Sequence, residues 1–169
     1  THTLADVRSG WGHLEPGIET EDPVSVAGRI MLKRDSGKLI FATIRDRSGE
    51  IQLFISKAVV GDDEFAAIKD LDLGDWVGVN GTVMTTRKGE LSVKPDHVEL
   101  LSKAIRPMPD KWHGLTDVDT RFRQRYADLI VNEDARRNFE IRHETVASFR
   151  RTLAKHGFIE VETPVLHPE

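Results

Sequence analysis

An aromatic residue and an amide residue lie on two neighbouring predicted strands, where together they could bind a nucleobase. Phe41 alternates with the apolar residues of segment 39–44, and Gln52 alternates with those of segment 51–55. Both side chains therefore point away from the predicted core. A base stacks on a phenylalanine ring for about 1–3 kcal/mol, and an amide can hydrogen-bond its edge. Phe41 and Gln52 are candidate nucleic-acid contacts; the alternative is a solvated face on which a loop covers Phe41.

Basic residues are concentrated in the same part of the sequence. The segment 29–47 carries six Lys or Arg and two Asp, whereas the whole chain has a net charge of −4. That overall charge excludes a generally basic nucleic-acid coat protein, so phosphate binding would need a local track. The track would consist of Arg29, Lys33, Arg34, Lys38, Arg45 and Arg47.

A carboxylate follows a predicted hairpin turn further along the chain. Glu90 comes directly after Gly89, and on the outer face it could accept a hydrogen bond from a base amino or imino group. The alternative is an ordinary carboxylate at a strand edge.

The elements that position these residues read as five short strands with one helix between the third and the fourth. The strands are predicted near 24–32, 39–44, 51–55, 76–85 and 90–101, and the helix near 62–68. This order is typical of an OB-fold, a small Greek-key barrel, over residues 24–102. Another small β-barrel or an α+β sheet is the alternative. Residues 1–23 are an N-terminal extension with a helix.

A linker with Pro107, Pro109 and Gly114 occupies residues 103–118, and beyond it the apolar period changes to that of helices. A first helix would present one apolar face, and a second, long helix would be capped by Asn132 and stop at Gly157. The apolar residues of the first are Phe122, Tyr126, Leu129 and Ile130, and those of the second are Phe139, Val146, Phe149 and Leu153.

Residues 158–164 then read as a strand without a sheet partner in its own segment. A lone strand is not stable, so residues 119–169 are predicted to be the truncated start of a second domain. The chain begins with Thr1 instead of Met, and we expect it to be part of a longer gene product.

Several classes of function are excluded by composition. The chain has no Cys, and its seven His show no metal-ligand spacing, so we expect no disulfide and no metal site. No Gly-rich phosphate loop, convincing acid–base pair, transmembrane segment or signal peptide is present. We therefore expect no catalytic residue in this chain and no association with a membrane.

A series of motifs resembles the bacterial-type class II lysyl-tRNA synthetases, from the anticodon-binding part through motif 1. The resemblance extends over residues 3–169. Aspartyl and asparaginyl enzymes share its OB-fold portion, whereas the linker and the run from Arg123 to Ile130 favour the lysyl type. The motifs in chain order are Val26-Ala27-Gly28-Arg29, Ser36-Gly37-Lys38, Gly49-Glu50-Ile51-Gln52-Leu53, Asp72-Leu73-Gly74-Asp75, Gly89-Glu90-Leu91-Ser92, the run from Arg106 to Leu115, the run from Arg123 to Ile130, and the run from Gly157 to Pro164.

The resemblance implies a role for each candidate residue. Phe41 would stack on an anticodon uridine, Gln52 would read its edge, Glu90 would be a further anticodon contact, and Arg34 would flank that site. Motif 1 would form a homodimer interface, which includes Phe139, Val146, Phe149, Leu153 and Pro164.

The resemblance also implies a mainly β chain in which the OB-fold precedes the start of a class II α+β catalytic domain. The full-length protein would be a cytoplasmic enzyme that uses ATP and Mg²⁺ to attach lysine to its tRNA. This chain would bind the lysine anticodon loop, but neither cofactor, and would itself be inactive. The alternatives are an aspartyl- or asparaginyl-type fragment, a stand-alone single-strand-binding OB protein, or a scaffold without RNA affinity.

Overall fold

The computed structural model describes residues 1–109 and 115–164. The chain divides into two compact units, Thr1–Pro107 and Met108–Glu169, called here the N-terminal and C-terminal units. The predicted linker 103–118 lies in part outside the described residues.

The N-terminal unit is a closed five-stranded barrel in which neighbours follow the order β1-β2-β3-β5-β4. Strand pairs are antiparallel, except for a short parallel pairing of β3 with β5 at Gln52–Ser92 and Leu53–Val93. This arrangement confirms the predicted OB-fold. The strands are β1 (Glu19–Ser36), β2 (Leu39–Arg45), β3 (Glu50–Ser56), β4 (Trp76–Thr85) and β5 (Leu91–Ser102).

Alternation along β2 and β3 produces the barrel core. Their inward residues are at most 3% exposed, as the sequence pattern predicts, and they are Ile40, Ala42, Ile44, Ile51, Leu53 and Ile55. Burial of each such aliphatic side chain contributes about 1.5–3 kcal/mol. The core therefore fixes which face of these two strands points outward.

Three helices accompany the barrel. The two between β3 and β4 are α2 (Lys57–Val60) and α3 (Asp62–Lys69); α3 confirms the predicted helix, and α2 was not predicted. The N-terminal helix α1 (Leu4–Trp11) buries Leu4 and Val7 completely. The carboxylate of Asp46 accepts a hydrogen bond from the N–H of Leu4 at 3.0 Å, which attaches the start of α1 to the turn between β2 and β3.

Within its described residues, the C-terminal unit contains three helices where the apolar period predicts two. The segment predicted as one helix is divided into α4 (Val118–Arg123) and α5 (Arg125–Val131), because Gln124 leaves helical geometry at φ −112° and ψ 55°. The predicted apolar face is only partly covered: Phe122 is 70% and Tyr126 55% exposed, whereas Leu129 and Ile130 are half-buried. The buried residues of α5 are Ala127 and Asp128.

A network of hydrogen bonds around Asp128 explains why this polar residue is buried. Its fully buried carboxylate accepts hydrogen bonds from Arg121 Nε at 2.8 Å, Arg125 Nη1 at 2.6 Å and Asn132 Nδ2 at 2.6 Å. Asn132 also donates to the carbonyl of Leu115 at 3.0 Å. Asn132 does occupy the N-cap position of α6 (Glu133–Lys155), but the prediction that its side chain caps this helix is wrong. The side-chain amide of Asn132 donates to Asp128 and to the Leu115 carbonyl instead.

The C-terminal unit should lose stability in acid through Asp128. Burial raises the pKa of this carboxyl, but the hydrogen bonds from Asn132 and Arg121 and the positive charges of Arg121 and Arg125 lower the pKa further, to below its ordinary value. Protonation is thus disfavoured in the folded state. The stabilisation is present above about pH 4, the unfolded value, and is lost as the pH falls through the folded pKa.

Circular dichroism at 222 nm during acid titration measures this loss. In Asp128→Asn the acid-dependent component of the helical signal should be smaller than in the wild type, and stability at neutral pH should be lower. The matched control is Asp119→Asn, because Asp119 pairs with Arg123 at 2.7 Å on the exposed surface. Identical acid profiles for the wild type and Asp128→Asn would contradict the assignment.

Helix α6 ends as predicted, but the strand after it does not form. Gly157 has a φ of +82°, the N–H of Phe158 donates to Leu153 at 3.1 Å, and the N–H of Gly157 donates to Ala154 at 3.0 Å. This is the Schellman arrangement that terminates helices. Residues 158–164 have no regular structure, because a strand requires a hydrogen-bonded partner and the described part of this unit contains only helices.

Candidate nucleic-acid interface

The four residues that the sequence nominates on the barrel line one cleft of about 590 Å³. Arg34 comes from β1, Phe41 from β2, Gln52 from β3, and Glu90 from the hairpin between β4 and β5. A cleft of this volume accommodates a small organic ligand. The remaining lining residues are Gly17, Glu19, Phe54, Met84, Thr85, Thr86, Arg87 and Lys88.

The ring of Phe41 is oriented by neighbours on both adjacent strands. Phe54, its partner across β2 and β3, meets it edge to face, with ring centroids 5.4 Å apart and an interplanar angle of 80°. The guanidinium of Arg34, its partner on β1, lies 5.4 Å from the centre of the Phe41 ring. Edge-to-face pairing and the cation–π contact each contribute about 0.5–1 kcal/mol or more. Phe41 is thus a preorganised, half-exposed stacking platform.

Two polar side chains line the same cleft. The Nε2 of Gln52 donates a hydrogen bond to Ser92 Oγ at 2.9 Å. The carboxylate of Glu90 is about half exposed, and its Oε1 lies 3.8 Å from Arg8 Nη2 of α1. Arg8 is itself fixed, because its Nε donates to the carbonyl of Glu50 at 2.6 Å. The cleft therefore combines an aromatic surface with hydrogen-bonding groups, as recognition of a single-stranded base requires.

The predicted phosphate track is only partly available, because half of its cations stabilise the barrel. Lys33 Nζ donates to the carbonyl of Lys69 at 2.6 Å at the C-terminal end of α3. Arg29 Nη1 donates to the carbonyl of Gly74 at 2.9 Å, and Arg45 pairs with Glu50. Of the six predicted cations, Arg34 lines the cleft. Three cations that a count of charges in the sequence treats as free therefore already bond to backbone carbonyls or to a carboxylate.

Other lining residues compensate for these cations, and the sequence analysis did not nominate them. Arg87 and Lys88 bring positive charge from the β4–β5 hairpin, and Phe54 supplies a second aromatic ring. The hydroxyl of Thr85 is buried and has no hydrogen-bond partner in the described part of the chain. Phe54 could have been predicted from the sequence, because it alternates with the inward residues of β3. Arg87 and Lys88 could not, because only the folded structure shows that the β4–β5 hairpin lines the cleft.

The residues nominated for a dimer interface lie on the C-terminal unit and are exposed. Four of them form one stripe along α6, with exposed fractions of 45% for Phe139, 40% for Val146, 64% for Phe149 and 48% for Leu153. The fifth, Pro164, lies in the irregular segment after α6 and is also exposed. These four side chains are called here the α6 stripe.

Neither a metal cluster nor a membrane helix is found among the described residues. Within residues 1–109 and 115–164, no three His, Cys, Asp or Glu side chains are grouped to bind a metal ion. Over the same ranges, no helix has the length and apolar character needed to cross a bilayer.

Comparison with protein families gives two matches along the chain. Residues 24–101 match the OB-fold nucleic acid binding domain of the tRNA anticodon type, and residues 117–169 match the class II tRNA synthetases of the D, K and N group.

Curated relatives agree with both family matches. The chain is 48% identical to a lysine–tRNA ligase of Cupriavidus metallidurans, with 99% of this chain and 33% of the relative covered. It is 54% identical to a lysine–tRNA ligase of Aromatoleum aromaticum, with 86% of this chain and 29% of the relative covered. For a lysine–tRNA ligase of Paraburkholderia phymatum the identity is 50%, over 99% of this chain and 33% of the relative.

The chain spans about a third of the length of these relatives. The identity of about half over nearly all of its own residues agrees with the two family matches. The chain belongs to the lysine–tRNA ligase family of class II tRNA synthetases.

Proposed function

We propose that this chain is the anticodon-binding part of a lysine–tRNA ligase, joined to the beginning of its catalytic domain. The intact enzyme would activate lysine with ATP, forming lysyl-adenylate and releasing pyrophosphate, and would then transfer lysine to the 3′ end of its tRNA. The observation that carries this proposal is the cleft in which Arg34, Phe41, Gln52 and Glu90 converge.

Each of these residues has a proposed role that its position supports. A uridine of the anticodon would stack on Phe41, whose ring is oriented by Phe54 and Arg34. Gln52 would hydrogen-bond the edge of that base, and Glu90 would accept a hydrogen bond from a base donor. Arg34, with its guanidinium beside Phe41, would neutralise a neighbouring phosphate.

Catalysis is proposed to require the part of the enzyme that this chain does not span. Class II synthetases use ATP, but the described residues offer no cluster of metal-ligating side chains. We place ATP and Mg²⁺ on that missing part, and we expect this chain alone to be inactive. The similarity to translation enzymes supports a cytoplasmic location.

Titration with RNA tests the proposal directly. A stem-loop with the lysine anticodon and a poly-pyrimidine strand are titrated separately into the 169-residue chain. Preference for the stem-loop is expected. Equal affinity for both would indicate a sequence-blind OB protein, and absence of binding to either would indicate a scaffold; both results would overturn the proposal.

Replacement of Gln52 by Ala should reduce discrimination at one anticodon position more than it reduces overall affinity. Contacts to base edges carry sequence information, whereas stacking and phosphate contacts supply much of the affinity. The measurement is the ratio of dissociation constants for stem-loops that differ at one base, and we expect that ratio to fall about tenfold, the value of one lost hydrogen bond. Equal weakening for every anticodon would contradict the role of Gln52.

The α6 stripe is proposed to be a homodimer interface, extended by Pro164. Its apolar side chains are exposed along a helix of 23 residues, and an exposed apolar surface of this length marks an interaction site. A self-complementary patch of this kind generates a two-fold dimer.

A further inference from the structure

The hydroxyl of Ser92 connects the candidate reading residue Gln52 to the barrel framework. Ser92 is completely buried on β5, where it pairs with Gln52 of β3 and with Met84 of β4. Its Oγ lies 2.9 Å from Gln52 Nε2 and 3.1 Å from the carbonyl oxygen of Glu90. It therefore touches two of the residues that line the cleft.

The single hydrogen of this hydroxyl determines the direction of both bonds. A carbonyl oxygen can only accept, so the Ser92 hydroxyl must donate its hydrogen to Glu90. The Ser92 oxygen is then left with lone pairs towards Gln52, and it can accept only from the nitrogen end of the Gln52 amide. The opposite orientation of the amide would place two acceptor oxygens in contact.

The Glu90 carbonyl that receives this hydrogen is itself held in place by the hairpin. It also accepts from the N–H of Thr86 at 2.9 Å, and the N–H of Glu90 donates to Thr86 Oγ1 at 3.0 Å. The orientation of the Gln52 amide is thus determined by backbone groups of the β4–β5 hairpin, through Ser92.

We infer that Ser92 is a positioning residue that fixes the Gln52 amide with its carbonyl oxygen available to the cleft. Within residues 1–109 and 115–164, this oxygen has no hydrogen-bond partner, and Gln52 lines the cleft. The inference deepens the proposed function and rests on it. A fixed acceptor selects a base whose edge presents an N–H, and it opposes a base that presents a ring-nitrogen lone pair at the same place.

Uracil has such an N–H at N3, whereas cytosine has a lone pair there. If the amide were free to rotate by 180°, its NH₂ group could face the cleft and accommodate cytosine. Removal of the Ser92 hydroxyl should therefore weaken discrimination between these two bases without removing the stacking surface at Phe41.

The test compares the wild type with three variants of the chain. Ser92→Ala removes the hydroxyl and Ser92→Thr retains it. Ser25→Ala is the matched control, because Ser25 is half-buried on β1 and does not line the cleft. The probes are lysine anticodon stem-loops in which each anticodon uridine is replaced in turn by cytidine or by N3-methyluridine, and the readout is the ratio of dissociation constants.

At one position the wild type should favour uridine about tenfold over both replacements, the value of one hydrogen bond. The preference over N3-methyluridine should persist in every variant, because the methyl group blocks hydrogen bonding at N3 with either end of the amide. Ser92→Ala should reduce the preference over cytidine to about threefold or less, while Ser92→Thr and Ser25→Ala retain it. An unchanged preference over cytidine in folded Ser92→Ala would overturn the positioning role while leaving the proposed function intact. Failure of the wild type to bind any stem-loop would instead refute the proposed function and, with it, the role in recognition.

A measurement on the RNA-free wild type keeps the inference testable if Ser92→Ala does not fold. One Nε2 hydrogen of Gln52 is donated to a fully buried oxygen, so nuclear magnetic resonance should show it exchanging with solvent more slowly than the other. Equal exchange of the two hydrogens would show a free amide and would overturn the inference.

Discussion

Phe41→Ala should weaken binding of the lysine anticodon stem-loop by about 1–3 kcal/mol, the cost of a lost base–aromatic stack. The fold should remain intact, because Phe41 is on the outer face of β2 and the core residues on either side of it are unchanged. Fluorescence titration of wild type and variant with the same RNA measures the difference.

The preorganisation of the ring places this effect towards the upper end of the range. Phe54 and Arg34 already hold Phe41 in the free protein, so little rotamer entropy is lost when a base stacks on it. Its replacement by Ala removes the platform and also leaves Arg34 and Phe54 without the ring that they contact.

Leu39→Ala is the matched control for this variant. Leu39 is half-buried on the same outer face of β2 and does not line the cleft, so its replacement should leave RNA affinity unchanged. If folded Phe41→Ala binds the stem-loop as tightly as wild type, then the stacking role is wrong, whatever Gln52 does.

Phe149→Asp should shift the chain from dimer to monomer. Phe149 is the most exposed member of the α6 stripe, at 64%, and in the proposed dimer its side chain would be buried against the partner. An uncompensated buried charge costs on the order of 3–5 kcal/mol, which corresponds to more than a hundredfold change in dissociation constant. Sedimentation velocity over a range of protein concentrations measures the shift.

Ser148→Asp adds the same charge one residue away. An α-helix turns by about 100° per residue, so Ser148 lies off the stripe and the dimer should persist in this control. A wild-type chain that sediments as a monomer at tens of micromolar, with α6 formed, would show that the stripe is not a dimer interface.

Simple periodicity was sufficient for β2 and β3, because each buries one face and exposes the other. The alternation of segments 39–44 and 51–55 assigned every core residue of β2 and β3 and turned Phe41 and Gln52 outward. The pairing of Arg45 with Glu50 across the tight turn between them also aligns Phe41 with Phe54. The contact between the two rings could have been predicted from this register, although their distance and angle could not.

The features that were missed depend on contacts between distant parts of the chain or on buried polar groups. Ser92 is paired with Gln52 only through barrel closure, and a period-two pattern contains no information on which strands meet. In the C-terminal unit, the apolar period did not reveal that Asp128 is buried, with Arg121, Arg125 and Asn132 as its partners. A hydrophobicity pattern cannot anticipate a buried carboxylate that is satisfied by hydrogen bonds.

If the chain binds RNA as proposed, the short parallel pairing of β3 with β5 would give RNA a second effect on the protein. These strands pair at only two residue positions, one of which is Gln52 with Ser92. Transient opening of the barrel along this line would therefore also break the hydrogen bond between Gln52 and Ser92. RNA that binds only the closed form adds to the free energy of opening, by about 2.7 kcal/mol at a hundred times the dissociation constant. The bound tRNA would then stabilise the closed barrel while its anticodon is recognised.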